Sequence, residues 1–214
     1  MHHTFLQLQP HKPIAVGKTR YIYEFPGKPE LLVKVHRPVS APAGASRFKQ
    51  WFASAEDRFI YKTGYLRELN IYLDSRYGKQ DPMVQHIAPI GGFVDTDMGI
   101  GLVVSAVRDK DGNLAPTLNE LIKQKRMNPA RIEKVKTVLE KIDQSDLVLG
   151  DLNAGNLVLE QTEDGNEDFY LIDGLGERTF IPIQSFSNWV RKKRKHDFVI
   201  KMLNRLKKLE QTVH

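Results

Sequence analysis

Apolar and polar positions alternate in short runs between residues 14 and 37. IAVG and TRYIYEF predict a pair of strands, Phe25-Pro26-Gly27-Lys28-Pro29 a turn, and LLVKV a further strand. Two prolines and a glycine mark PVSAPAGAS, residues 38–46, as a loop. The spacing then changes. Tyr61, Tyr65, Leu69, Tyr72 and Leu73 recur three and four apart, which predicts a helix from about Phe48 to Arg76 with those residues on one face. Gly64 is the weak point of that helix. PIGGFVDT and GIGLVVSAV read as two more strands joined through Asp97-Met98-Gly99. In TLNELIKQK, Thr117 followed by Glu120 has the spacing of a capping box and predicts a helix start. Ile132, Val135, Val138, Leu139 and Ile142 form the apolar stripe of a helix from about Pro129 to Asp143. NLVLEQ and FYLID flank TEDGNED, where Asp164-Gly165 predicts a hairpin turn. From about Ser185 the pattern is helical, with Phe198, Val199, Met202, Leu203, Leu206 and Leu209 at helical spacing.

This order of elements predicts an α+β protein in two unequal lobes. Residues 1–107 supply a sheet and the long helix. Residues 108–214 supply helices, a loop, a hairpin and a basic C-terminal helix, the two parts forming one domain overall.

Composition removes several classes of function. The chain has 214 residues, 41% hydrophobic and 27% charged, ordinary values for a soluble globular protein. The absence of cysteine excludes disulfides, thiolate metal sites and cysteine nucleophiles. MHHTFLQLQPHKP lacks the apolar core and cleavage site of a signal peptide, and no apolar run has membrane-spanning length, so a cytoplasmic setting is expected. The net charge of +6 is unevenly placed: residues 191–214 carry nine Lys or Arg against two acids, a net of +7, which leaves −1 for the remainder. That tail either packs its apolar stripe on the body or is drawn to an anionic membrane surface on the inner face of the cell. Nucleic-acid binding is not expected, because no aromatic interleaving accompanies the charge. Gly17-Lys18-Thr19 resembles the end of a P-loop, but Lys12 stands where the first glycine is required. The seven histidines include no HExxH pair.

What remains is a set of residues suited to phosphoryl transfer, which needs a cation on the nucleotide phosphates, oxygen ligands for magnesium and a carboxylate facing the acceptor. Lys34, inside LLVKV, is the candidate cation, and Glu68 or its competitor Glu56 the acid that holds it. In GDLNAGNLVL, Asp151 and Asn156 have the D-x-x-x-x-N spacing of a kinase catalytic loop. Asp173 follows at the end of the predicted hairpin, so Asn156 and Asp173 are the candidate magnesium ligands and Asp151 the catalytic carboxylate. Gly17, Lys18 and Thr19 are the candidate nucleotide-binding turn. Taken singly, Asp, Asn and Gly are also the residues that turns favour.

GDLNAGNL followed by LIDGLGE resembles the kinase-like superfamily of lipopolysaccharide core sugar kinases. IDGLGERTFIPIQSFSNWVRKKRK, RELNIYL and GKTRYIYEF resemble more closely the PhoP regulatory network YrbL family of small bacterial kinase-like proteins. The resemblance spans roughly residues 14–205. It implies a compact, two-lobed protein-kinase-like fold with a minimal C-terminal lobe, and an ATP- and Mg2+-dependent phosphotransferase. The chain departs from protein kinases in having Leu149-Gly150 before Asp151, Gly174 after Asp173, only Gly17 of a glycine-rich loop, and no Ala-Pro-Glu. Only about forty residues follow Asp173, which favours a small-molecule or glycan acceptor, such as a lipopolysaccharide or capsule sugar, over a protein. The alternative is a pseudokinase-like regulatory or binding protein without turnover.

Overall fold

The computed structural model describes residues 5–38, 40–77, 81–176 and 187–213. The chain is α+β. It divides into two compact units, the first made of residues 1–69 and 89–106, the second of residues 70–88 and 107–214.

The first unit is built on an antiparallel sheet of β1 (Ala15–Val16), β2 (Arg20–Phe25), β3 (Lys28–His36), β4 (Ile90–Thr96) and β5 (Gly99–Ser105), in the order β1-β2-β3-β5-β4. β3 runs at the centre, and its residues Val33, Lys34 and Val35 are all buried. The pleat sends alternate side chains to opposite faces. Val33 and Val35 pack with Leu8 and Tyr23 on one of them, and Lys34 takes the other. The turn before β3 is tighter than its five-residue sequence signal. Phe25 already pairs with Lys28, so Lys28, Pro29 and Glu30 belong to the strand. Gly27, at φ +75°, supplies the left-handed residue that so short a connection needs.

Helix α1 (Arg47–Asp74) begins where Ser46 Oγ accepts from the Lys49 N–H at 3.4 Å. Its buried residues are Tyr65 and Glu68, and this corrects the expected apolar face. Leu73 is 54% exposed and Tyr61 is also exposed. A helix turns about 100° per residue, so Leu73 lies about 140° round from Glu68. A glutamate holds the position where the pattern leads one to look for an apolar side chain.

In the second unit, a 3-10 turn (Val84–His86) precedes α2 (Leu118–Lys123), α3 (Pro129–Gln144), the hairpin β6 (Leu157–Gln161) and β7 (Glu167–Leu171), and α4 (Asn188–Val213). The Thr117–Glu120 capping box forms as expected. α3 starts at the Asn128 cap, with Pro129 in its first turn, and buries the five residues of its predicted stripe. β6 and β7 pair in register about the Asp164-Gly165 turn. The end of the chain forms one helix from Asn188; the Ser185 start expected from sequence lies outside the described residues. α4 packs along α3 and buries Val199, Met202 and Leu206. Its apolar stripe is therefore turned to the body, and most of its basic residues, Lys195 excepted, are turned outward.

Lys195 on α4 is 0% exposed. Its ammonium donates to the carbonyl of Ser145, the C-cap residue of α3, and to that of Leu147 at 3.4 Å. Burial pulls its pKa below the ordinary lysine value, Arg191 adds to this, and Asp146, Asp81 and Asp143 act the other way.

Candidate functional site

Each unit carries one cluster of the expected residues. In the first, Lys34 Nζ donates to Glu68 Oε1 at 2.9 Å, and both side chains are buried. Of the two acids that the sequence leaves open, Glu68 is the one that receives Lys34. Glu68 Oε2 accepts from Arg20 Nη1, and the Arg20 guanidinium lies 4.8 Å from the centre of the Tyr65 ring. One carboxylate thus serves two cations. A buried charge is tolerated only with partners, so Glu68 is what allows an ammonium on the central strand. Sequence reasoning misses Arg20, although a signal exists. β2 pairs Ile22 with Lys34, and Arg20, two residues along, shares that face.

Gly17 and Lys18 are exposed, and Thr19 half-buried, in the connection between β1 and β2. The Gly17 N–H donates to the Arg20 carbonyl at 2.8 Å. Arg37 closes the turn from outside, through Nη1 to the Gly17 carbonyl at 2.9 Å and its own N–H to the Thr19 carbonyl at 2.8 Å. The Gly17 N–H is therefore used within the turn.

In the second unit, two chain segments cross at Asp151 and Gly174. Leu149 pairs with Leu175, the Gly176 N–H donates to the Val148 carbonyl at 2.8 Å, and the Gly150 N–H donates to the Gly174 carbonyl at 2.8 Å. The Asp151 N–H shares that carbonyl at 3.5 Å. Gly174 has φ +95°, and a Cβ there would lie 2.7 Å from the Asp151 carbonyl oxygen. Only glycine fits both the backbone and the space, which accounts for the residue that follows Asp173. The Asp173 carboxylate accepts the Gly174 N–H at 2.8 Å.

Asn156 completes the crossing. Its Nδ2 donates to the Asp151 carbonyl at 2.8 Å, and its own carbonyl accepts from the Ile172 N–H at 3.0 Å. With the amide nitrogen on Asp151, Oδ1 is the pole left for an oxygen-seeking ligand. Asn153, absent from the sequence-based set, donates from Nδ2 to Asp151 Oδ1 at 3.0 Å and accepts the Gly155 N–H at 2.8 Å. Its position two residues after Asp151 is the spacing of a side-chain turn and was available as a signal. The Asn119 N–H, at the start of α2, donates to the Ala154 carbonyl at 3.1 Å and fixes the loop from outside.

His86 is a third polar group outside the sequence-based set, and the sequence carries no signal for it. Its Nδ1 lies 2.9 Å from the Phe169 carbonyl, which can only accept, so Nδ1 carries the proton. Nε2 then accepts from Lys141 Nζ at 2.6 Å. The arrangement joins the 3-10 turn, α3 and β7, and is structural.

Chemically, the crossing offers two carboxylates and one amide oxygen, the hard donors that Mg2+ takes when substrate phosphates complete its shell. Among the described residues, no three His, Asp or Glu side chains gather to hold a metal by themselves. The first unit offers an ammonium held on a rigid strand. No described helix is long and apolar enough to cross a membrane.

An α+β chain with a central-strand lysine paired to a helix glutamate, and an Asp–Asn loop tied to an Asp–Gly step, is the class that these features define. By sequence, the chain belongs to the family described as PhoP regulatory network protein YrbL, which matches residues 6–207. It is 26% identical over 163 residues to YrbL of Escherichia coli (strain K12), covering 70% of this chain and 77% of that protein. YrbL of Shigella flexneri is similar to the same extent: 26% over 163 residues, with the same 70% and 77% coverage.

Proposed function

We propose that the protein is an ATP- and Mg2+-dependent phosphotransferase of kinase-like fold. Its acceptor is a hydroxyl of a small molecule or of a cell-envelope glycan such as a lipopolysaccharide or capsule sugar. The observation that carries this reading is the Asn156 amide on the Asp151 carbonyl, inside a loop joined to the Asp173–Gly174 step. That joint makes one unit of the three residues that phosphoryl transfer asks for.

In this reading Asp151 orients the acceptor hydroxyl and takes its proton as the oxygen attacks the terminal phosphorus. The bond from that phosphorus to the bridging oxygen breaks, and ADP leaves with the electron pair. Asn156 and Asp173 would hold Mg2+, which would supply neutralisation of phosphate charge. Lys34 contacts the α- and β-phosphates, and Glu68 fixes the direction of its side chain.

The test is a thermal melt with ATP and Mg2+, followed by ATP consumption over a panel of free sugars. A ligand that binds only the native state must raise the melting temperature. The wild type is expected to gain stability with ATP and Mg2+ together, and Asp173→Ala to lose that gain. Asp151→Ala is expected to keep binding and lose turnover; full turnover in that variant would overturn the assignment.

A second reading, a nucleotide-binding regulatory protein without turnover, is favoured by one observation. The Gly17 N–H, which a phosphate cradle would present to the ligand, already serves the Arg20 carbonyl. Stabilisation by ATP and Mg2+ with no ATP consumption across the panel would select it.

A further inference from the structure

The start of α1 carries aromatic side chains into solvent. Every residue from Ser46 to Phe52 is exposed. Phe48 is 72%, Trp51 66% and Phe52 53% exposed. Their spacing of three and four puts them on one face. Phe48 and Trp51 stack with ring centres 6.2 Å apart. Ala55 and Leu66, also exposed, continue that face. Glu68, which points into the unit, lies about 160° round the helix from Phe48. The patch is thus the outward face of a helix whose inward face is already occupied.

The charge at its start has one sign, and Glu56, one turn after Phe52, is the acid at its far end. Arg47 and Lys49 flank the aromatic group, Arg58 and Lys62 follow, and no acid occurs between residues 38 and 55. Asp57, beyond it, is bonded to His36 at 2.8 Å. A two-fold contact with a second copy would bring the cations Arg47 and Lys49 of both copies into one interface with only Glu56 to offset them, since such an interface repeats the same patch on both sides. A lipid surface with anionic headgroups satisfies both halves: aromatic rings enter the headgroup–acyl boundary, and the cations meet the headgroup charge. α4 is more basic, but its apolar residues Val199, Met202 and Leu206 are buried, and the two that are exposed among the described residues, Trp189 and Ile200, stand eleven residues apart and form no cluster.

The geometry points to the first turns of α1, through Phe48, Trp51 and Phe52 with Arg47 and Lys49, as a docking surface for an anionic lipid bilayer. This site is independent of the phosphotransferase reading.

The two tryptophans allow α1 and α4 to be read separately. In the full chain carrying Trp189→Phe, Trp51 is the only tryptophan; in Trp51→Phe, Trp189 is. Each protein is mixed with vesicles of phosphatidylcholine, alone or containing phosphatidylglycerol. Trp51 emission is expected to move to shorter wavelength with the anionic vesicles only, and to be quenched by brominated acyl chains, while Trp189 emission stays unchanged. Phe48→Ser with Phe52→Ser is expected to weaken vesicle binding about tenfold or more, with the same far-ultraviolet circular dichroism and melting temperature. Unchanged Trp51 emission, or a shift of Trp189 in its place, would overturn the assignment. A shift equal with neutral vesicles would do the same. So would a Trp51 shift that follows protein concentration without vesicles, which would give the surface to a second copy.

Discussion

Gly174 passes so close to Asp151 that one added methyl group would lie 2.7 Å from the Asp151 carbonyl oxygen. The contact is with backbone, which cannot rotate away as a side-chain tip would, and φ is +95°. Gly174→Ala is therefore expected to destabilise the fold by about 1–3 kcal/mol from backbone strain alone, with the clash in addition. Gly112→Ala is the control: φ is +78°, but a Cβ there meets nothing within 4 Å. Urea denaturation of both variants measures the difference, and equal losses would mean that the close approach contributes nothing.

Glu68 stands between Lys34 and Arg20. Glu68→Gln leaves two cations on one buried face and is expected to cost about 3–5 kcal/mol. Lys34→Met should cost less, because Arg20 still has its partner. The double variant should be clearly more stable than the sum of the two losses predicts, since the residues are in contact. Chemical denaturation of the four proteins measures this; additive losses would contradict the shared carboxylate.

Burial pushes the Tyr65 hydroxyl up to about 12, Arg20 acts against this, and Tyr61 and Glu68 add to it. A raised folded value means that the native protein keeps this proton after the unfolded chain has released it. Stability from this group is present below pH 10 and is lost as pH rises toward 12. On the order of 2 kcal/mol is at stake over that window. Tyr65→Phe is expected to remove this alkaline loss, as seen in denaturation curves taken at successive pH values.

Arg131 grips Glu167 with two bonds, Nε to Oε2 at 2.9 Å and Nη2 to Oε1 at 2.6 Å. This hydrogen bonding holds the Glu167 carboxyl below its ordinary value of 4.5, against the opposing effect of burial. A depressed carboxylate stabilises above its unfolded value and loses that contribution as pH falls through the folded one. Arg131→Met is expected to cost about 1.5–3 kcal/mol at neutral pH. The two stability curves should converge in acid, and parallel curves would show that the pair is not the cause.

Much of this architecture is legible in the sequence where one physical rule acts alone. α3 obeys helical spacing from cap to end, and the hairpin is signed by Asp164-Gly165, so both can be read directly. Lys34 is legible because an ammonium inside an apolar strand asks for an acid; that the acid is Glu68 and not Glu56 becomes plain only in the folded chain. The face of α1 is not, because its buried position at Glu68 is polar and the apolar pattern slides past it to Leu73. Arg20 and Lys195 escape for a related reason: each is an ordinary surface residue by type, buried only because distant chain segments bring it partners. The Asp151 loop shows the same limit. Spacing selects Asp151, Asn156 and Asp173, but the need for Gly174 follows from a backbone crossing between segments that meet only in the folded chain.

Lys195 gives the second unit an order in time. Its ammonium closes the end of α3 and holds the Leu147 carbonyl, at the start of the segment that leads to Asp151, yet it arrives in the chain after β6, β7 and Asp173 have been made. A nascent chain that has not yet extended through α4 leaves those carbonyls without this donor. The segment that leads to the Asp151–Gly174 crossing therefore gains this support only once α4 has been made, after every residue of the crossing is already in the chain.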